Sequence, residues 1–504
     1  FFKLIYKPLD TKMPFIPSRD SLKLIPNNIL KPKYNVEDLK PGIIHIGAGN
    51  FHRAHQGIYL DDLFNYGIDY GWAVIGSGVM PNDKFMREAL QKQDYLSTIV
   101  ELEPNSKKVR ISGSMIDFLT VEKNNKSLIK ALSSPWVKIV SMTITEGGYF
   151  IDNATEKFNS KHPQIVFDSK NIERSTSVFG ALVQSLKCRR QLGIPPFTIM
   201  SCDNLPGNGD VTKNAVVGLA DMIDHDLARW IEEEVPFPNG MVDRIATVTS
   251  DQQRQRLLEE YDIHDQRPVF CESFRQWVLE DSFSMGRPSF EKVGVTFTKN
   301  IKVFELMKLR ILNGGHQAIA LPGALLDLHF VHDAMKHELI KAYLAKLELE
   351  EIIPIVPPVP GIELPKYFFQ TQERFSNPQI GDTISRVCQE SSDRQPKFIF
   401  PSIRDRLSKG LDIKGLALES AIWCRYCFGE SETGKAINIV DLHSKRLQSN
   451  AKKARNQPEI FLGMEDIFGD ICKNGIFKEE FSSSLNSLWK NGVEKTLKSY
   501  LESE

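Results

Sequence analysis

Cysteine is scarce in this chain: seven residues among 504, odd in number and scattered. A disulfide framework needs paired, closely spaced cysteines, so these read as reduced thiols packed as small apolar side chains. Cys424 and Cys427 form the one CxxC, within the apolar helical run Ala-Ile-Trp-Cys-Arg-Tyr-Cys-Phe and without a second Cys/His pair nearby. That setting points to core packing ahead of zinc or redox chemistry. HExxH is missing as well, so ligand supply argues against a structural or catalytic metal. Charge of either sign is not in excess, for 63 Lys and Arg face 64 Asp and Glu, a net charge of -1. Near-neutrality gives no electrostatic case for nucleic acid or an anionic membrane as partner. No window reaches the roughly 18 to 20 apolar residues of a membrane helix, and Phe1 to Leu9 is broken by Lys3 and Lys7 with no small-residue cleavage site behind it. The expectation is a soluble cytoplasmic protein acting on a compact, neutral small molecule.

What is present is enough for two full domains: 41% hydrophobic and 25% charged residues over a long chain. After a polar, proline-dotted arm (1–38), Gly42 to Ile46 reads as a short buried strand ending at Gly47-Ala-Gly49, with a helix starting near Arg53. Strand-like runs recur at Trp72 to Ile75, Val137 to Thr145 and Phe197 to Cys202, separated by helical stretches such as Asn171 to Leu192. This alternation predicts an α/β, doubly wound parallel sheet over 39–290. Beyond about residue 290 the strand signals fade and 3.6-periodic segments take over: Glu305 to Leu325, Asp333 to Leu349, Leu416 to Phe428 and the tail from Phe481. A mostly α-helical domain is expected over 291–504, with the boundary near residues 285 to 300. The proline-rich stretch Ile352 to Pro365 reads as a stiff connector between helices.

Ile46-Gly47-Ala48-Gly49-Asn50-Phe51-His52-Arg53 follows a strand and opens a helix, which offers free backbone N-H groups and a positive helix end to a pyrophosphate. His52 stands where a GxGxxG fingerprint has its third glycine, so the packing of helix on strand must be solved differently. Arg53 carries a planar fork suited to two phosphate oxygens. The acid that ordinarily ends the second strand and holds the ribose is missing, and Asp83 is the nearest substitute. Lys84 and Arg87 lie beside it as possible partners of a 2'-phosphate, so NAD is preferred with NADP not excluded. Thr143-Ile-Thr-Glu146-Gly-Gly-Tyr149 and Ser201-Cys-Asp-Asn204-Leu-Pro-Gly-Asn-Gly209 end buried strands at the face where open parallel sheets bind ligands. Turn formation and capping account for Asp203 and Asn208. They account less well for Glu146 and Asn204.

The most informative run is Lys308-Leu-Arg-Ile-Leu-Asn313-Gly-Gly-His316. It places a titratable amine, an amide donor and an imidazole on what reads as one helix. At about 100° per residue, Asn313 lies about 140° and His316 about 80° from Lys308, so all three reach one side. Gly314 and Gly315 should together cost roughly 1.5 to 2 kcal/mol against alanine, so a ligand or second helix must want bare backbone there. An exposed lysine, a capping asparagine and a core histidine would produce the same pattern.

Taken together, GIIHIGAGNFHRAHQ (42 to 56), TITEGGY (143 to 149), SCDNLPGNG (201 to 209), PNGMVDRI (238 to 245), KLRILNGGH (308 to 316) and ERFSNP (373 to 378) resemble the polyol-specific long-chain dehydrogenase/reductase family, in order and across nearly the whole chain. The resemblance implies a Rossmann-type N-terminal domain, a mostly helical C-terminal domain, a site in the cleft between them, and no metal. It implies Lys308 as catalytic base, Asn204 and Asn313 as the pair holding the substrate oxygen, His316 as an orienting residue and Glu146 on the proton route out. Val242, Asp243 and Arg386 match substrate contacts; Arg394 stands where relatives have lysine, with Lys397 an alternative in register.

The activity so implied is metal-independent interconversion of a polyol and a ketose with NAD(H), D-mannitol and D-fructose first among them. Lysine at its usual value near 10.4 is a poor base at neutral pH, so burial beside the positive nicotinamide ring would have to lower it. The chain lacks any Tyr-x3-Lys, which removes the short-chain dehydrogenase mechanism. Fructuronate reduction and D-arabinitol oxidation remain as family alternatives, since Arg386, Arg394 and Lys397 could bind a carboxylate as well as hydroxyls. A nicotinamide-binding sensor is the non-enzymatic alternative, although a sensor has no need of Lys308, Asn204 and Asn313 together. The expected assembly is a monomer or weak homo-oligomer.

Overall fold

The computed structural model describes residues 15–78, 80–151 and 157–503. The chain divides into two compact units, Phe1–Ile301 and Lys302–Glu504.

In the first unit the strands are β1 (Pro41–Ile46), β2 (Ala73–Ser77), β3 (Ser97–Leu102), β4 (Lys107–Ser112), β5 (Met115–Phe118), β6 (Ile139–Met142), β7 (Thr198–Ser201), β8 (Gly240–Asp243), β9 (Val269–Glu272), β10 (Gln276–Leu279) and β11 (Thr296–Phe297). The central sheet runs β5-β2-β1-β6-β7 and every pairing in it is parallel. Strands covered on both faces must be apolar throughout, which is why β1, β6 and β7 read as continuous hydrophobic runs. Ile44, Ile46, Val140, Met142 and Ile199 pack there against Phe179, Leu182 and Leu186 of the helix Val178–Gln191 and Val216 and Leu219 of the helix Asn208–Asp221. Ala54 and Ile58, next to the glycine turn, instead meet Ile99, Val269 and Cys271 of a second sheet ordered β4-β3-β9. A third sheet, β11-β10-β8, carries Val242 and Asp243.

Three local expectations shift. The helix expected from Asn171 begins at Val178, because Ser177 caps it by accepting from the Gly180 N-H, and a single 3-10 turn covers Ile172–Arg174. The arm is tied to the unit from Phe15 onward: Phe15 bridges Ile263 and Leu30 bridges Arg110. β11 lies beyond residue 290, where no strand is expected.

In the second unit every residue from Gly415 to Cys427 is buried, so the helix Lys414–Cys427 forms part of its core on all sides. Cys424 and Cys427 are part of that core, and burial drives both thiols well above their ordinary value. Glu351 receives the Gly415 and Leu416 N-H groups at 2.6 and 3.0 Å and so closes the helix's N-terminus. The tail forms Gly475–Glu502, interrupted at Gly492 (φ 79°), where the Glu432 carboxylate accepts from the Val493 N-H at 2.6 Å. The proline stretch forms a 3-10 turn, Ile353–Ile355, and leads into the helix Leu364–Phe375 with Pro365 in its first turn.

Candidate active site

Gly47 is demanded by two constraints at once: its φ is +87°, and a Cβ there would lie 2.1 Å from the Thr143 carbonyl oxygen. A Cβ on Gly49 would meet nothing closer than 3.8 Å, so the backbone there faces open space, as a close-approaching pyrophosphate requires. Ile46 and Ala48 are buried supports. His45 on β1 bonds Ser141 Oγ (2.7 Å) and Thr143 Oγ1 (2.9 Å), and the Thr143 hydroxyl in turn donates to the Gly47 carbonyl (2.7 Å). The His52 ring stacks on His45 with centroids 3.5 Å apart and planes 17° apart. This stack replaces the close helix-on-strand contact that a third glycine would give. Both imidazoles are held neutral, since burial drives His45 far below its ordinary value and His52 down to about 3, the latter helped by the neighbouring Arg53 guanidinium.

Arg53 does not turn its fork outward. Nε donates to the Gly49 carbonyl (3.3 Å), Nη1 to the Arg267 carbonyl (2.5 Å) and Nη2 to Asn50 Oδ1 (2.9 Å), while Asn50 Nδ2 reaches the Thr247 carbonyl (3.1 Å). These bonds make Arg53 a brace across the loop. Buried polar nitrogens must be satisfied, and the carbonyls of this crowded turn are the nearest acceptors. Phe51 stacks on His55 at 4.9 Å. His55 bonds the Gln276 carbonyl through Nε2 and Gln56 Nε2 through Nδ1, both at 2.9 Å, which fixes the Nε2-H tautomer. Asp83 packs against Gly78 just beyond β2 and accepts from the Met80 N-H at 2.8 Å, so an acid does stand past the end of the second strand. Arg87 Nε is engaged by the Phe118 carbonyl (3.0 Å).

At the ends of β6 and β7 the Asp203 carboxylate accepts from Ile144 N-H, Thr145 N-H (both 2.9 Å) and Tyr149 O-H (2.6 Å), locking the TITEGGY turn to the SCDN turn. It holds Thr145 at φ 64°, ψ 159°, a conformation that costs a non-glycine residue roughly 1 to 3 kcal/mol. Glu146 begins the 3-10 turn that follows, and its side chain lies outside the described residues. Asn204 is exposed directly after Asp203. Asn208 bonds Gly240 in both directions (2.8 and 2.9 Å), which joins this turn to β8. Val242 and Asp243 of β8 are buried, opposite Trp277 and Gln276 of β10. Arg244, which sequence reasoning passed over, braces the same region: its guanidinium donates to the Ala54 carbonyl, the Glu272 carbonyl and the Glu101 carboxylate.

In the second unit, the single helix expected across KLRILNGGH is not regular. An α-helix (Ile301–Met307) passes into a π turn, Lys308–Asn313, and then into a second α-helix, Gly314–Leu325. The Gly314 N-H reaches back five residues to the Leu309 carbonyl. Residues five apart therefore stand over one another, which brings Lys308 and Asn313 closer to a common side than 100° steps allow. Lys308 is 7% exposed; Asn313 and His316 are half-buried. The glycines serve neighbouring helices: a Cβ on Gly314 would stand 3.4 Å from the Phe398 carbonyl, and one on Gly315 would stand 3.3 Å from Glu348 Oε1 and 3.4 Å from the Phe375 ring. The His316 ring lies on Phe375, with centroids 4.0 Å apart. Burial pushes its value down to about 3; Arg386, Arg374 and Arg394 act in the same direction and Asp382 against them.

Those groups mark the basic end. Arg386 Nε and Nη2 each reach one oxygen of Asp382 at 2.5 Å. Arg394 Nη1 donates to the Val387 carbonyl, which also accepts from Gln317 Nε2 at 3.0 Å. Lys397 pairs with Asp393 at the surface (2.7 Å). Sequence reasoning missed Arg374 and Asp382. The second carried a signal, since Asp382 and Arg386 are spaced i, i+4.

Known proteins account for both halves of this arrangement. Residues 41–292 match the model of a mannitol dehydrogenase Rossmann domain, and residues 300–489 that of a mannitol dehydrogenase C-terminal domain. The chain belongs to the mannitol dehydrogenase family. A mannitol 2-dehydrogenase of Cereibacter sphaeroides is 50% identical over 474 residues, 94% of this chain and 99% of that protein. One from Aspergillus fumigatus is 38% identical, over 92% and 93%. Among solved structures, Pseudomonas fluorescens mannitol 2-dehydrogenase in ternary complex with NAD and D-mannitol is 40% identical, covering 97% of this chain and all of that one, with a TM-score of 0.88. A substrate-free D-sorbitol dehydrogenase is 31% identical, over 95% and 100%, with a TM-score of 0.87.

Proposed function

We propose that D-mannitol and D-fructose are the pair this chain interconverts; the coarser reading, an NAD-dependent polyol dehydrogenase, follows from its family. The observation that carries the proposal is Lys308 and Asn313 on a π turn with His316 in the first turn of the helix that follows, in a chain half identical to a mannitol 2-dehydrogenase over nearly its whole length. The open backbone at Gly49, the helix that starts at Asn50 and the acid Asp83 fit a dinucleotide. Ile46 to Arg53 would hold it, with Arg53 acting through the loop it braces. Bound NAD supplies the hydride acceptor, carbon 4 of the nicotinamide.

Lys308 takes the hydroxyl proton during oxidation and returns it to the carbonyl oxygen during reduction. Asn204 and Asn313 donate amide N-H groups to that oxygen, where each fixed donor is typically worth roughly 3 to 4 kcal/mol. The neutral His316 ring orients the substrate. Val242, Asp243, Arg386 and Arg394 contact the remaining hydroxyls, and Glu146 passes the proton to solvent. No step needs a metal.

Purified protein with NADH and a panel of D-fructose and D-fructuronate, followed by loss of NADH absorbance, tests the reading, with D-mannitol, D-glucitol and D-arabinitol assayed alongside NAD. The two substrates should separate in kcat/KM by roughly 10²-fold or more, fructose ahead, because a site that clamped a carboxylate between two arginine donors would discriminate as sharply the other way. A preference for fructuronate overturns the substrate assignment, and NADH binding without turnover of any ketose would favour the sensor.

A further inference from the structure

Three basic side chains, Arg386, Arg394 and Lys397, could serve a carboxylate at the far end of the substrate, and a uronate enzyme needs one of them free to do so. Arg386 carries a planar fork able to bind two oxygens, and its side chain is 54% exposed. Its fork is already matched. Asp382, 6% exposed at its side chain, meets Nε with one carboxylate oxygen and Nη2 with the other. This is the geometry by which an arginine takes a substrate carboxylate, here satisfied from within the chain. Asp382 is itself fixed: its carbonyl accepts from the Val331 N-H at 2.9 Å, and the next residue, Thr383, caps the short helix that bears Arg386. Lys397 is likewise paired, with Asp393.

We propose that Asp382 is a positioning residue that sets substrate charge: by occupying the fork of Arg386 it leaves Nη1 for a hydroxyl, so the site accepts an uncharged ketose or polyol and turns away a hexuronate. A second carboxylate brought to this guanidinium would find its two parallel donors taken and a fixed negative charge beside it. Specificity would then arise from a repulsive element as much as from an attractive one. The inference rests on the polyol reading of the site and extends it to the residue that excludes the acidic analogue.

The test compares wild type, Asp382→Asn, Arg386→Gln and the double variant on D-fructose and D-fructuronate with NADH, with kcat and KM measured separately. Asp382→Asn should raise the fructuronate-to-fructose ratio of kcat/KM by about tenfold or more, chiefly through a lower KM for fructuronate. The gain should vanish in the double variant, because it runs through Arg386. A role confined to folding would depress both substrates together and leave the ratio unmoved, which overturns the proposal. Should Asp382→Asn fail to fold, Arg386→Gln alone decides: it should weaken fructose at least as much as fructuronate. A selective rise in KM for fructuronate would mean that Arg386 already clamps a carboxylate. If wild type prefers fructuronate, the polyol reading falls; if it prefers fructose and Asp382→Asn leaves the ratio unchanged, this inference falls alone.

Discussion

Lys308 is the residue on which the proposed chemistry turns, and its place in the chain separates the proposed roles of base and binder. It is 7% exposed and heads the π turn, while the loop proposed for the cofactor, Ile46 to Arg53, is built entirely from residues of the first unit. Lys308→Ala should therefore lower turnover by roughly 10³-fold or more, with the NADH dissociation constant changed by less than about threefold. Fluorescence titration and single-turnover kinetics read the two quantities apart; near-normal turnover would remove the lysine from its role. Several of the proposed site residues were legible in the sequence as residue types in order. Their partners were not. His52 reads as a departure from a glycine fingerprint, and only the structure shows it stacked on His45, because nothing in sequence spacing says that β1 will place an imidazole beneath that turn. Arg53 reads as a phosphate ligand because its fork suits one, yet the acceptors it uses come from Gly49, Asn50 and the distant Arg267.

Elements were legible where one physical rule dominates. β1, β6 and β7 stand out because strands buried on both faces are apolar without interruption. β3, β4 and β9 escaped because they form a separate mixed sheet of short strands, in which β4, Lys107 to Ser112, is interrupted by charge. The π turn at Lys308–Asn313 escaped for a different reason, since one added residue leaves hydrophobic spacing almost unaltered over a single turn. The helix Lys414–Cys427 was legible as an apolar segment, but not its buried acid. Glu419 accepts from Gln395 Nε2 at 2.7 Å through Oε1, its Oε2 has no partner, and burial pushes its value up to about 8. The unfolded carboxyl titrates near 4.3, so between about pH 4.3 and 8 the unfolded chain releases a proton that the native chain keeps. Stability on this account is full below that window, falls by up to about 1.4 kcal/mol per pH unit across it, and levels off above. Glu419→Gln should flatten that slope, so that its urea midpoint gains on wild type from pH 5 to pH 8. Parallel curves would place the acid's proton elsewhere.

At the scale of the whole chain, the proposed site residues come from both units: the first, Phe1–Ile301, holds the glycine turn, Asn204 and Asp243, and the second, Lys302–Glu504, holds Lys308, Asn313 and His316. Among the described residues no helix is long and apolar enough to cross a membrane. The reaction assigned to the chain moves one proton and one hydride, and the question at this scale is whether protein side chains supply everything apart from the hydride carrier. In the proposed reaction Lys308 accepts the proton and the amides of Asn204 and Asn313 meet the charge that develops on oxygen, which would do the work that a Lewis acid does elsewhere. Both nitrogens of His45 and both of His55 bond protein atoms, which leaves neither a lone pair for a metal. Among the described residues no three His, Cys, Asp or Glu side chains converge as ligands would. Prolonged dialysis against a strong chelator should accordingly leave kcat and KM unchanged, with metal content measured on the same sample to show that chelation was complete. Loss of turnover that returns on adding zinc would assign the substrate oxygen to a metal and reduce Lys308 to a supporting charge.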